Sequence, residues 1–450
     1  MPVEIVPETD FKYYLIAFDE KGRERNDDPD GQMSKRVIEV LKTEPITDVF
    51  LIAHGWRSDV PAARRQYTRW IKVMIEQQAD LDQIKAVRSG FSPLLVGLHW
   101  PSLPWGDYDL ANSSAISYGF SATSTATEIN QLVSQYAARL SDTPRARQAL
   151  ETILLSAQQN IAPEKLPPEV GEAYRILNSE TTLTSQNLGS SPGADREPFD
   201  PESTFLVARR EALSYGGFSW GGVLASLRTL SFWKMKDRAR QFGEGSGHDF
   251  LQDLQRVSGE QVRFHLIGHS FGCIVMSGML AGPKNWGVLQ RPVNSLFLIQ
   301  GAVSHWSYCP DIPVTPGVAG YFHPLIAEGK VSGSIITTYS KFDTAVCKWY
   351  PLAASASSLL TRSVSFFEFN DFPMYGALGA FGARGGDDFR AVDMDMLDQN
   401  SSYPFYPGQI YNLDSQEFIR EGSGPEGAHN DIAHPAVAHA VWQAAISSDW

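Results

Sequence analysis

Val262-Arg263-Phe264-His265-Leu266-Ile267-Gly268-His269-Ser270-Phe271-Gly272-Cys273-Ile274-Val275-Met276-Ser277 is the stretch that decides the fold. An apolar segment, Val262 to Ile267, leads into a Gly-x-Ser-x-Gly pentapeptide, and a second apolar segment from Cys273 suits a helix. A buried strand, a tight turn and a helix together hold a serine in a strained conformation with its Oγ exposed. The flanking glycines remove side chains where the strand and helix backbones come closest. The pentapeptide alone says little, because chance supplies on the order of 0.3 such matches in a chain this rich in glycine and serine. A second match is present, Gly217-Phe218-Ser219-Trp220-Gly221. The residues before it, Val207 to Leu213, are charged and helical in pattern, so Ser219 reads as part of a glycine-rich loop. Ser270 is the candidate nucleophile.

Outward from this stretch the same kind of run recurs. Tyr13 to Phe18, Asp48 to Ala53, Pro93 to His99, Ser295 to Gln300, Gly333 to Tyr339 and Gln409 to Leu413 are short and continuously apolar. Continuous apolarity is expected of parallel strands covered on both faces. Helical patterns fall between many of them, as at Ala62 to Ile75, Gly272 to Leu280 and Pro435 to Ile446. The alternation predicts an α/β fold with a doubly wound, mostly parallel sheet. From about Tyr108 to Phe218 no strand is legible. Helical stretches at Ala126 to Leu140 and Arg145 to Asn160 are followed there by a polar run, Glu180 to Pro201, that reads as a mobile loop. The expected organisation is therefore residues 1–107 and 226–450 as two parts of one core, with 108–225 as a helical insertion and candidate lid. A second irregular stretch runs from Ala353 to Gly408.

Composition narrows the class. The 450 residues are 43% hydrophobic and 20% charged, which is ordinary for a globular protein and excludes collagenous and disordered classes. With 38 Lys plus Arg against 51 Asp plus Glu, the formal charge of −13 disfavours nucleic acid as a partner. Three cysteines, Cys273, Cys309 and Cys347, give no disulfide framework and suit a reducing compartment. No apolar run reaches the length of a membrane span, and the first residues lack a basic segment followed by an apolar one. A cytoplasmic location without integral membrane insertion is the expectation.

A serine hydroxyl needs a base within hydrogen-bond reach, and that base needs an orienting acid. Among the histidines near the C-terminus, His434 and His439 belong to the final helix or its edge. His429 instead lies in a small-residue loop, Glu426-Gly427-Ala428-His429-Asn430, and is the candidate base. The acid is expected at the end of a strand between the two. Asp343, after the apolar run GSIITTY, is first; Asp311, one strand earlier, is second. Asp414 and Asp431 are weaker, the latter reading as a helix cap. His269 reads as a packing residue or a local hydrogen-bonding group. An oxyanion would need two N–H donors: Phe271, directly after the serine, and Trp56, after the strand that ends in His54-Gly55.

These features together, His54-Gly55-Trp56, Gly268-His269-Ser270-Phe271-Gly272, Asp343 and Gly427-Ala428-His429, resemble the α/β-hydrolase superfamily, specifically its bacterial lipase- and esterase-like members. Leu98-His99-Trp100-Pro101-Ser102 and the helical run Phe232 to Ala239 also look like parts of such hydrolases. The resemblance covers roughly residues 47–107 and 226–446. It implies acyl-ester hydrolysis through an acyl-enzyme, with no metal and no cofactor, on a small-molecule or lipid ester. A thioesterase or amidase would use the same parts, and a catalytically inactive binding or scaffold protein could keep the fold. Trp100, Trp105, Trp306 and Tyr308 would either line an apolar groove or fill core.

Overall fold

The computed structural model describes residues 3–26, 31–56, 59–102, 126–183, 187–215, 222–361 and 372–449. Ser219, with its whole pentapeptide, and Trp105 lie outside the described residues. Among the described residues nine strands form one sheet: β1 (Val3–Ile5), β2 (Lys12–Ala17), β3 (Asp48–Ala53), β4 (Pro93–His99), β5 (Arg263–His269), β6 (Ser295–Ile299), β7 (Ile335–Tyr339), β8 (Ala391–Asp395) and β9 (Ile410–Asp414). Their spatial order is β1-β2-β4-β3-β5-β6-β7-β9-β8. Strand β1 is antiparallel to β2, and every other pair is parallel. The protein is thus α/β with a mostly parallel sheet.

Parallel neighbours need crossover connections, and helices supply them. Helices α1 (Met33–Thr43), α2 (Val60–Ile75) and α3 (Gln78–Val87) precede or follow β3, and the helix Gly272–Ala281 joins β5 to β6. Asp59 starts α2 by accepting the Ala62 N–H at 2.6 Å, with Pro61 in the first turn where its missing donor costs nothing. Ala63, Tyr67, Trp70, Ile71 and Met74 then recur at helical spacing on its buried face. They share a core with Phe50, Ile52, Ile267, Phe297 and Ile299 of the strands and with Val437, Val441 and Trp442 of the last helix, Pro435–Ile446. The alternate residues Val49, Leu51, Leu266, Leu296 and Leu298 are equally buried. Since neighbours along a strand point to opposite faces, both faces of the central strands are covered. That is why those strands read as unbroken apolar runs.

The chain divides into two compact units. The first comprises Met1–Leu103, Ala239–Tyr350 and Gly376–Trp450 and holds the whole sheet. The second comprises Pro104–Arg238 and Pro351–Tyr375. Its described residues are helical, with Ala126–Leu140, Pro144–Gln159, Pro168–Glu180 and Pro201–Tyr215 as its main elements and no strand. The polar run expected to be mobile packs inward at 192–196. A Cβ on Gly193 would meet the Asp237 Cβ at 2.6 Å, and the Arg196 guanidinium lies 5.6 Å from the Trp233 ring centre. Lys236 is fully buried over the same ring; burial pulls its ammonium down to about 7, with Asp195 opposing.

At the amino ends of the central strands, a buried network ties the first unit together. Asp48 on β3 accepts from Arg88 and from His265 Nε2 on β5, the latter at 3.1 Å, and His265 Nδ1 accepts the Ser295 hydroxyl of β6 at 2.8 Å. Arg88 also donates to the Ala445 carbonyl near the end of the last helix. Burial alone would raise the Asp48 carboxyl, but His265, Arg88 and Thr47 more than offset it and hold it below its ordinary value. Removing one partner would leave the others charged or polar and unmatched in the interior. Asp48→Ala is expected to lower unfolding stability by about 3–5 kcal/mol in denaturant titration.

Candidate active site

Ser270 directly follows β5 with a backbone φ of +56°, in the left-handed region that residues with a Cβ rarely occupy. The strain is held from both sides. The Ser270 N–H donates to the Ile299 carbonyl at 3.0 Å, and the Ser270 carbonyl accepts from the Ala302 N–H at 3.2 Å. Three glycines are required by contact. A Cβ on Gly268 would lie 2.5 Å from the Gly272 carbonyl oxygen, one on Gly272 would collide with the Ala53 carbonyl, and one on Gly55 would lie 2.7 Å from the Ser270 Cβ. The helix that follows is buried along its whole length. The turn sits where β3 and β5 are neighbours and the strand order reverses, which is where open parallel sheets form a crevice at their carboxyl ends.

Two other strand ends deliver the partners. Asp343 follows β7; its carboxyl is buried and accepts the Val346 N–H at 3.1 Å and the His429 Nδ1–H at 2.7 Å. His429 sits in a short helical turn, Ala428–Asn430, fastened by the Ala428 N–H to the Phe342 carbonyl at 2.9 Å. Gly427, just before it, has φ +58° and would press a Cβ to 2.5 Å from the Phe342 carbonyl oxygen. His429 Nε2 then lies 2.8 Å from Ser270 Oγ. The structure thus brings Ser270, His429 and Asp343 into one hydrogen-bonded chain.

A second histidine braces the first. His269 Nδ1 accepts from the Gln66 amide of α2 at 3.1 Å, so its Nε2–H donates to the His429 carbonyl at 2.9 Å. Burial, and then the His429 charge, pull His269 down to about 3, and it stays neutral in this role. His429 differs. Burial would lower its pKa too, but the Asp343 charge and hydrogen bond, with Glu426 behind them, outweigh burial and raise it above its ordinary value. Burial raises the Asp343 carboxyl, against the lowering pull of His429 and the Val346 and Ala345 N–H groups.

The two residues that would supply the oxyanion donors are in contact through their side chains. The Trp56 and Phe271 rings stack with centres 5.7 Å apart and planes 28° from parallel. Phe271 is the residue that opens the Gly272–Ala281 helix, where N–H groups have no intrahelical acceptor.

The remaining candidates have other partners. Asp311 is exposed and accepts the Gly317 N–H at 2.5 Å. Asp414 accepts from the Gln416 N–H at 3.1 Å. Asp431, expected as a helix cap, instead takes the Arg420 and Glu421 N–H groups at 3.1 and 2.8 Å, and His434 Nδ1 caps the last helix at the Ala436 N–H. His439 bonds Asp80 through Nδ1 at 2.8 Å. Trp100, Trp306 and Tyr308 are buried. Sequence reading passed over Gln66 and the Ser295–His265–Asp48 network; neither carries a local pattern, since each is assembled from separate elements. Among the described residues no group of three His, Cys, Asp or Glu side chains is arranged to hold a metal ion.

No family model, no curated protein and no solved structure matches the chain. The geometry itself makes a titration prediction. The His429 imidazole should lose its proton at a pH above its ordinary 6.5. The midpoint should fall in Asp343→Asn, where the stabilising carboxylate is gone. Ring ¹⁵N shifts followed against pH would show both, and an unmoved midpoint in the variant would contradict the pairing.

Proposed function

We propose that this protein is a serine hydrolase of the α/β-hydrolase architecture, with a doubly wound sheet, that cleaves carboxylic esters through an acyl-enzyme. The observation that carries the reading is the Ser270–His429–Asp343 hydrogen-bonded chain on a strained turn at the carboxyl end of β5. In the reaction, His429 Nε2 takes the Ser270 proton as Oγ attacks the ester carbonyl carbon. Asp343 keeps the proton on Nδ1, so that Nε2 is free to accept, and stabilises the imidazolium that results. The carbonyl oxygen becomes negative and is met by the Phe271 and Trp56 N–H groups. The tetrahedral intermediate collapses, the alkoxide leaves with the proton from His429, and Ser270 is acylated. Water then attacks the acyl carbon while His429 takes its proton. The second intermediate breaks the Ser270 bond, the proton returns to Oγ, and the acid is released. Small-molecule or lipid esters are the substrate class, and no step calls for a metal or cofactor.

A fluorophosphonate probe should label wild-type protein at Ser270, and Ser270→Ala should remove labelling and lower ester hydrolysis by about three orders of magnitude or more with the fold intact. A protein that neither labels nor turns over p-nitrophenyl esters of any chain length would be the binding or scaffold protein instead. The base must be neutral to act, so kcat/KM should rise with pH through the raised His429 pKa and be lost below it. Asp343→Asn should move that inflection to lower pH while reducing the plateau.

A further inference from the structure

The turn after β3 holds a hydrogen bond that the mechanism above does not use. His54 Nδ1 and the Gly55 carbonyl oxygen are 2.8 Å apart. A carbonyl only accepts, so the ring proton sits on Nδ1; burial, followed by the nearby His99 charge, keeps this imidazole neutral. The two preceding peptides are fixed as well. The His54 N–H donates to Tyr67 Oη at 2.9 Å, and the His54 carbonyl accepts the Trp100 indole N–H at 2.9 Å. Tyr67 in turn donates to the Leu98 carbonyl at 2.6 Å.

A trans peptide is planar, with its C=O and N–H on opposite edges, so a bond that fixes the Gly55 carbonyl also fixes where the Trp56 N–H points. The His54 ring lies beside His99 and Trp100, with centres 5.1 and 5.8 Å away, on the β4 side of β3. Ser270 and Phe271 lie on the β5 side, and the Trp56 ring stacks there. The Gly55 carbonyl is thus bonded to a ring on the β4 side, and the Trp56 N–H belongs to the opposite edge of the same peptide. Gly55, which has no Cβ, lets the peptide pass directly against Ser270.

Resting on the hydrolase reading, we infer that His54 is a positioning residue that locks the 55–56 peptide with the Trp56 N–H aimed at the carbonyl oxygen of an ester attacked by Ser270. The hole is then built before substrate arrives, and no peptide has to rotate during the reaction. Such preorganisation is worth most where charge develops, so its loss acts on the transition state and little on substrate binding.

The test begins with the native protein. Ring ¹⁵N shifts of labelled histidine should show His54 protonated at Nδ1 and bare at Nε2; the opposite tautomer overturns the inference. His54→Leu, which has no donor, should lower kcat/KM for a p-nitrophenyl ester by about 10²-fold and weaken an alkylboronic acid by a similar factor, because its tetrahedral adduct places an oxygen in the hole. KM should change little. His54→Asn, which keeps a donor, should recover part of both losses. Should the Leu variant fail to melt cooperatively, the Asn variant decides: its losses in kcat/KM and in boronate affinity must match. Unchanged activity in a folded His54→Leu, or lost activity with unchanged boronate affinity in either variant, overturns the inference. Wild-type protein that neither hydrolyses esters nor takes a fluorophosphonate overturns the hydrolase reading along with it, whereas an active, labelled wild type with an unaffected His54→Leu sinks the inference alone.

Discussion

A serine held at φ +56° persists only where its surroundings leave no other conformation, and most of the site follows from that constraint. Strain of this kind costs about 1–3 kcal/mol, which the buried helix after it and the two flanking strands readily offset. Register does the fastening. Ala53 of β3 pairs with Gly268, and His269 pairs with Ile299 of β6, so the turn emerges between two fixed neighbours. The glycines at 55, 268 and 272 are consequences of that closeness, because each would otherwise drive a Cβ into backbone or into Ser270 itself. The result is an Oγ presented at one point in space, to which the His429 and Asp343 loops have been brought.

The protein contains a second serine–histidine–aspartate chain, and the contrast shows what the hydrogen bonds alone do not supply. Ser295, His265 and Asp48 are bonded in sequence much as Ser270, His429 and Asp343 are. They lie at the amino ends of β6, β5 and β3, and Arg88 occupies the carboxylate. Burial lowers His265 below its ordinary pKa despite Asp48, whereas Asp343 raises His429. The first set reads as a structural clasp across three strands. The other stands at the carboxyl ends beside the reversal in strand order, on a backbone held at positive φ.

Much of the fold was legible because burial on both faces leaves an unmistakable mark. Strands β3 and β4 begin and end where their apolar runs do. The two strands that escaped notice are the edges. β1 has three residues, and β8 reads AVDMD and is largely exposed, so neither needs an apolar face. Asp393 and Asp395 on β8 instead suit an unpaired edge, where charge discourages further pairing. The run at 192–196 misled for the opposite reason: a Ser-, Gly- and Pro-rich composition resembles a solvated loop, yet Arg196 is buried there against Trp233 and Phe199.

The sequence by itself determined local matters: which runs become central strands, where glycine is needed at the Ser270 turn, and which loops carry a histidine or an aspartate. These depend on periodicity and on sterics over a few residues. Only the tertiary structure decided which carboxylate meets which imidazole. His429 takes Asp343 from 86 positions away, His265 takes Asp48 from 217, and His439 takes Asp80 from 359. A hydrogen bond tolerates errors of a few tenths of an ångström. Separations of that length along the chain are converted into such distances by strand register and helix packing, and no local pattern of residues encodes them.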